Sequence, residues 1–192
     1  GAFLVADSQN KAIRQIQQST PLPAVSDPEI GTVSLVVDTV GTVSAQLTKV
    51  INSVFNNDVV IAIKGQEGTE TLYTSGDTPT NAFIDTIPDP GPGSATAPFY
   101  RNGGSSLPVT LFPTVVPDLT VKAIGSQNGR RPSAVVKARF QFKTGSPVFV
   151  GDNAASFSFN NVTSGAEMFY TTDGATDPTN VPSTTVFGPV PA

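Results

Sequence analysis

The chain contains no cysteine and no histidine. Without cysteine there is no disulfide, no thiolate nucleophile and no sulfur-ligated metal. Without histidine there is no Ser-His-Asp or Cys-His relay, no imidazole zinc ligand and no imidazole pH switch within this chain. Tryptophan is absent as well. Charge is sparse: Asp, Glu, Lys and Arg make up 14% of the 192 residues, against roughly 25% in an ordinary soluble domain. No apolar run approaches the roughly 18 residues expected of a membrane-spanning helix, so no membrane span is expected. The opening GAFLVADSQNK has neither a basic start nor a long apolar stretch, so it does not read as a signal peptide.

What fills the chain instead is Thr, Ser, Asn, 17 Gly and 17 Pro around a 38% hydrophobic content, enough for a buried core. That composition suits a β-rich extracellular or particle-surface protein better than a cytosolic enzyme. The net charge of −4 is unevenly placed. Residues 1–143 carry 11 basic and 11 acidic side chains, whereas residues 144–192 carry Asp152, Glu167, Asp173 and Asp177 with no base. An acidic, weakly charged chain lacks the cations that neutralise phosphates, so no nucleic-acid partner is expected. The adjacent pair Arg130 and Arg131 reads as a solvated turn.

Along the chain, KAIRQIQQS is compatible with a short helix, with Ile13 and Ile16 on one side, before Pro21 and Pro23 stop it. Segment 32–40 alternates as a strand. Val36, Val40, Val43, Leu47, Val50 and Val54 also step as a heptad seam, which leaves 43–55 open between strand and helix and admits a coiled-coil stem. Beyond Asn57 the expected strands are VVIAI (59–63), ETLYT (70–74), LPVTLF (107–112), LTVKAIG (119–125) and SAVVKARFQF (133–142). In the last, Val136, Ala138, Phe140 and Phe142 share one face, and Val135, Lys137, Arg139 and Gln141 share the other. Gly- and Pro-rich connectors separate these runs, as in a sandwich.

One phrase occurs twice. GTETLYTSGDTPT from Gly68 returns as GAEMFYTTDGATDPT from Gly165, 97 positions later. Without gaps, residues 48–74 lie over 145–171, pairing Glu70 with Glu167, Leu72 with Phe169 and Tyr73 with Tyr170. A period near 100 residues is that of an immunoglobulin-like sandwich rather than of a solenoid. The first copy also carries 11 extra residues around IPDPGPGSA. Three segments are therefore expected: 1–47, for anchoring or oligomerisation; 48–143, the first copy; and 144–192, a second copy. The second has no counterpart of LTVKAIGSQNGRRPSAVVKARFQF, so its missing strands come from a continuation of the chain or from a neighbouring subunit.

YTTDGATDPT (170–179), FGPV (187–190), LTVKAIGSQNGRRPSAVV (119–136) and the degenerate YTSGDTPT (73–80) resemble the chitobiase/β-hexosaminidase C-terminal domain family. The resemblance covers about 57–143 and 145–192. It implies a small immunoglobulin-like β-sandwich, an accessory module of exported bacterial proteins and some phage structural proteins, with no catalytic residues to carry over. The first copy departs from it at Gly76-Asp77, where the family has Asp-Gly.

The expected fold is all-β, with tandem immunoglobulin-like sandwiches and a partly helical N-terminal segment. Tyr73, Tyr170, Phe169, Phe157, Phe159 and Phe140 are the expected structural core. Phe99 and Tyr100 stand in a loop and are the candidate sugar-stacking pair. Asp173 and Asp177 offer calcium oxygens, but an Asp-Gly turn explains the same letters and the full calcium-loop pattern is absent. Glu70 and Glu167 belong to separate copies and do not make a glycosidase pair. Asn161-Val162-Thr163 is a glycosylation sequon. No cofactor is expected. The expected role is a non-catalytic structural or adhesive module on a cell or virion surface, with other protein subunits as partners. The alternative is a carbohydrate-binding accessory module with surface glycans as partners.

Overall fold

The computed structural model describes residues 2–7, 12–17, 21–78, 86–105, 107–108, 117–153, 156–179 and 186–191, with the backbone alone for 2–7, 12–17, 152–153, 156–157 and 186–191. Among the described residues every regular element is a strand and there is no helix. Strands β1 (Ala2–Asp7) and β2 (Ala12–Gln17) form an antiparallel hairpin with Phe3 opposite Ile16 and Val5 opposite Arg14. The helix-compatible run of the sequence is thus a strand. A free helix of nine residues is marginal in water, whereas an apolar neighbour strand offers a full ladder.

Strands β3 (Glu29–Val37) and β4 (Val43–Lys49) form a second hairpin. Its turn is built by Asp38, whose Oδ1 accepts the N–H groups of Val40 and Thr42 at 2.9 and 2.8 Å, and by Gly41 at φ 85°. That turn ends any helix through 36–54, and β-branched valines favour the pleat. The heptad seam is not a packing seam: Val40 is 84% exposed, and the buried residue of β4 is Ala45. The open segment 43–55 resolves into β4 and β5 (Asn52–Phe55). The other edge of β3 pairs with β6 (Val60–Lys64), giving the order β4-β3-β6.

A five-stranded sheet follows from β5, β7 (Glu70–Asp77), β8 (Ala95–Thr96), β9 (Asp118–Ser126) and β10 (Val136–Phe142), in the order β5-β10-β9-β7-β8. Its pairs are antiparallel except β5 with β10. The two sheets supply one core, with Ile30, Ile61 and Ile63 from the first and Val121, Ala123, Ala138 and Phe140 from the second. Phe140 is fully buried, with the Phe55 ring centroid 6.1 Å away. Ala138 and Phe140 point inward from β10 as its alternation requires, while Lys137 is exposed. β9 differs: Leu119 to Gly125 are all buried, so both of its faces are covered. The chain passes from β4 to β5 through buried Val50, so the break expected at residue 47 falls inside a strand of this unit.

Beyond Lys143, β11 (Val148–Asn153) pairs with β12 (Ser156–Asn160), and β13 (Glu167–Thr171) pairs with β14 (Val186–Pro191). Shifted by 97 residues, β5, β6 and the start of β7 fall on β11, β12 and β13. The strand positions recur, but their partners do not. β5 and β6 lie in different sheets, whereas β11 and β12 bond to each other. Of the expected strand 107–112, residues 109–112 lie outside the described residues, and Leu107 and Pro108 are not in a strand.

Candidate functional site

Two of the ion pairs of the first unit, Lys122–Asp89 and Arg139–Asp118, are structural clamps. Lys122 sits on the central strand β9 with a side chain only 8% exposed. Its Nζ donates to the Ile87 carbonyl at 2.6 Å and to Asp89 Oδ1 at 2.8 Å. Together with Thr74 Oγ1, which donates to the Pro88 carbonyl at 2.6 Å, it ties down the proline-glycine insertion, whose Ile87 is buried. Arg139 on β10 grips Asp118 on β9, with Nε donating to Oδ1 at 2.8 Å. The Arg139 guanidinium, helped by hydrogen bonds from Thr78 and Gln141 and opposed by burial, holds the Asp118 carboxyl at about 2.

The expected aromatic pair is split. Phe99 is 57% exposed, with the Arg101 guanidinium 5.7 Å from its ring centroid and Glu67 paired to Arg101. Tyr100 is not a surface platform: it is buried against Val33, Ala45 and Ala62. The cause is the backbone of the following loop. Ala45 N–H donates to Gly104 O at 2.6 Å and Gly103 N–H to Ala45 O at 2.9 Å, so the loop lies along β4 and turns Tyr100 inward. Burial raises the pKa of the Tyr100 phenol, against a lowering influence from Lys64.

Asp173 and Asp177 spend their oxygens on their own turns. Asp173 Oδ1 accepts Ala175 and Thr176 N–H at 3.0 and 2.9 Å, and its Oδ2 accepts the Thr176 hydroxyl. Asp177 Oδ1 accepts both Thr179 N–H and Thr179 Oγ1. These hydrogen bonds, led by the Thr176 hydroxyl, hold the Asp173 carboxyl at about 2. The turn reading accounts for this geometry. Among the described residues no three acidic side chains gather in a set that could hold a metal ion. Glu70 accepts the Thr96 hydroxyl across β7 and β8 at 2.9 Å, and Glu167 is exposed.

Tyr73 is half-buried against the main core, and Phe140 lies at its centre. In the second segment Phe159, Phe169 and Tyr170 are half-buried. The Phe159 ring lies 4.7 Å from Phe149 and 5.1 Å from Tyr170, linking the two hairpins there. The side chain of Phe157 lies outside the described residues.

One concave feature among the described residues is a joint. A cleft of about 510 Å³ lies between Phe55, Asn57, Phe142 and Lys143 on one side and Thr163 and Ser164 on the other. Asn57 closes it: Nδ2 donates to Val162 O and Oδ1 accepts Ser164 N–H, both at 2.9 Å. Asn56 Nδ2 donates to Lys143 O at 2.9 Å. The sequon is part of the same joint, since Asn161 Nδ2 donates to Gly145 O at 2.7 Å and Thr163 Oγ1 accepts Gly145 N–H at 2.8 Å. Sequence reading missed Lys122, Asn56 and Asn57. A lysine within an otherwise apolar strand run was the available signal for the first, whereas nothing in the letters Asn-Asn marks a joint.

Comparison with protein-family models, with curated proteins and with solved structures finds no match. Among the described residues no helix is long and apolar enough to cross a membrane.

Proposed function

We propose that the chain is a non-catalytic structural or adhesive module, built of immunoglobulin-like sandwich units in tandem, in an extracellular assembly: a virion appendage or a bacterial surface protein. The observation that carries this reading is the recurrence of three strand positions at a 97-residue spacing, with the phrase around Tyr73 and Tyr170 at the same point of each copy. Tandem sandwich units are a common way to build reach and contact area. Two sheets over one core in residues 21–143 fit that architecture, as does the resemblance to the chitobiase/β-hexosaminidase C-terminal domain. The ionic groups support a structural role, because Lys122, Asp118, Arg139 and Asp173 are engaged in holding strands, loops and turns. Immunogold labelling of the producing cells or particles tests the reading. Label on the outer surface is expected, and label confined to the cell interior would overturn it.

Exposed Phe99, flanked by Arg101, favours a second reading as a carbohydrate-binding accessory module. A glycan array separates the two. Binding that Phe99→Ala abolishes without lowering the melting temperature would replace the structural reading.

A further inference from the structure

The second segment presents an open strand edge. In the first copy, β7 is flanked by β8 on one side and β9 on the other. Its counterpart β13 pairs with β14, which holds the segment corresponding to the residues after β8, and no described strand bonds its other edge. Beside that strand lies an open groove of about 400 Å³, lined by Thr144, Pro147, Asn161, Met168, Phe169 and Pro178. Val148, Phe149, Val150 and Val162 nearby in sequence are 49–69% exposed. The first copy shows what such a unit uses as cover: an antiparallel hairpin, β9 with β10.

An antiparallel hairpin, β1 with β2, lies outside both repeat copies in sequence. β1 and β2 bond only to each other among the described strands. A lone two-stranded hairpin is marginal in water. Its sequence has the asymmetry of β9 and β10. AFLVA is apolar without alternation, as a central strand with both faces covered must be, and AIRQIQ mixes apolar and polar residues, as a flanking strand does. At six residues, β1 is long enough for the five-residue β13. Charge agrees: residues 1–17 hold Lys11 and Arg14 against Asp7, whereas residues 144–192 hold four acids and no base.

The structure points to head-to-tail assembly, in which the β1–β2 hairpin of one copy completes the second unit of the next, with β1 adding to the free edge of β13. The interface is heterologous, so repetition builds a ring where its rotation closes and an open filament where it does not. This inference rests on the reading of 144–192 as a sandwich unit.

The test uses the full chain, whose lack of cysteine makes single-cysteine chemistry clean. Sedimentation over a concentration range should show self-association that weakens with salt. Leu4→Pro removes a ladder donor from β1 and should weaken association about tenfold or more. A Val5→Cys chain mixed with a Thr144→Cys chain should give a mixed dimer with a short bismaleimide, and neither chain should do so alone. Four results would overturn the proposal: a monomer whose 167–171 amides exchange slowly; oligomers unaffected by Leu4→Pro; cross-linking only within a chain carrying both cysteines, which would mean that each hairpin serves its own chain; or loss of association when residues natively following 192 are appended. A chain that cross-links head to tail yet labels only inside the cell would overturn the surface-module reading alone.

Discussion

Replacing Lys122 by methionine isolates the clamp on the proline-glycine insertion. Methionine keeps most of the side-chain length and apolar contact but donates nothing. The Ile87 carbonyl, whose bond to Nζ lies in the interior, then loses that donor. Removing one partner of a buried hydrogen bond costs about 1–3 kcal/mol. Asp89 adds little of its own, because its side chain is 66% exposed and returns to water when released. The expected destabilisation is therefore about 2 kcal/mol, a fall of roughly 4–8 °C in Tm for a domain of this size. Loss should concentrate in the insertion, which Thr74 still holds through Pro88. Urea unfolding gives the global figure, and limited proteolysis with mass mapping gives the local one. Asp89→Asn should cost under about 1 kcal/mol, since the amide oxygen still accepts. A Lys122→Met chain with unchanged stability and unchanged cleavage within 86–93 would show that the lysine does not hold the loop.

Asp118 gives a pH dependence. Its folded-state pKa lies below the unfolded value, so its contribution is present above about pH 4 and is lost as pH falls toward 2. Arg139→Gln should remove the largest part of that contribution at pH 7 and flatten the acid limb, as read by urea midpoints between pH 2 and 5. Asn57→Ala deletes both side-chain bonds to the 162–164 loop and should cost about 1–2 kcal/mol. Amide exchange at Ser164 should rise while that of β9 stays unchanged. Tyr170→Ala removes a half-buried ring packed on Phe159 and should cost about 2 kcal/mol in the second segment. Glycan binding lost at unchanged Tm would reassign Tyr170 to ligand contact.

How far the letters reach depends on what each residue's partner is. The strand SAVVKARFQF was legible because a half-buried strand writes its environment as alternation, and Ala138 and Phe140 are buried accordingly. The turns at Asp173 and Asp177 were legible because the donors to their carboxylates lie two or three residues away. Tyr100 was not, because its burial is set by a loop bonding to β4 some 55 residues upstream. The heptad of 36–54 misled for the same reason. Steps of three and four also arise in a β-branched chain, and the turn at Asp38 and Gly41 decided between the two. Among the candidate aromatic residues whose side chains are described, Phe99 alone stands exposed as a surface platform would.

The repeat shows why similar strands need not make similar sheets. β6 reads Val60-Ile61-Ala62-Ile63-Lys64, an apolar run without alternation. It serves two cores at once, with Ile61 and Ile63 in the main cluster and Ala62 beside Tyr100 in the other. Its counterpart β12 reads Ser156-Phe157-Ser158-Phe159-Asn160. That strand has one apolar face and one serine face, so it can line one core and must leave its other side wet. It cannot take the two-sided position of β6, and it pairs with β11 instead. The same alternation fixes how many layers the second unit can add. One sheet can cover the phenylalanine face, and a second over the serines would take the exposed Ser158 hydroxyl out of water. Strand addition at the edge of β13 meets this limit, because it extends a sheet sideways and lays nothing on the serine face. A Ser158→Val chain removes the limit. It should acquire a second apolar face and aggregate at concentrations where the parent chain does not, as light scattering would report. Unchanged solubility would show that the serine face is already covered.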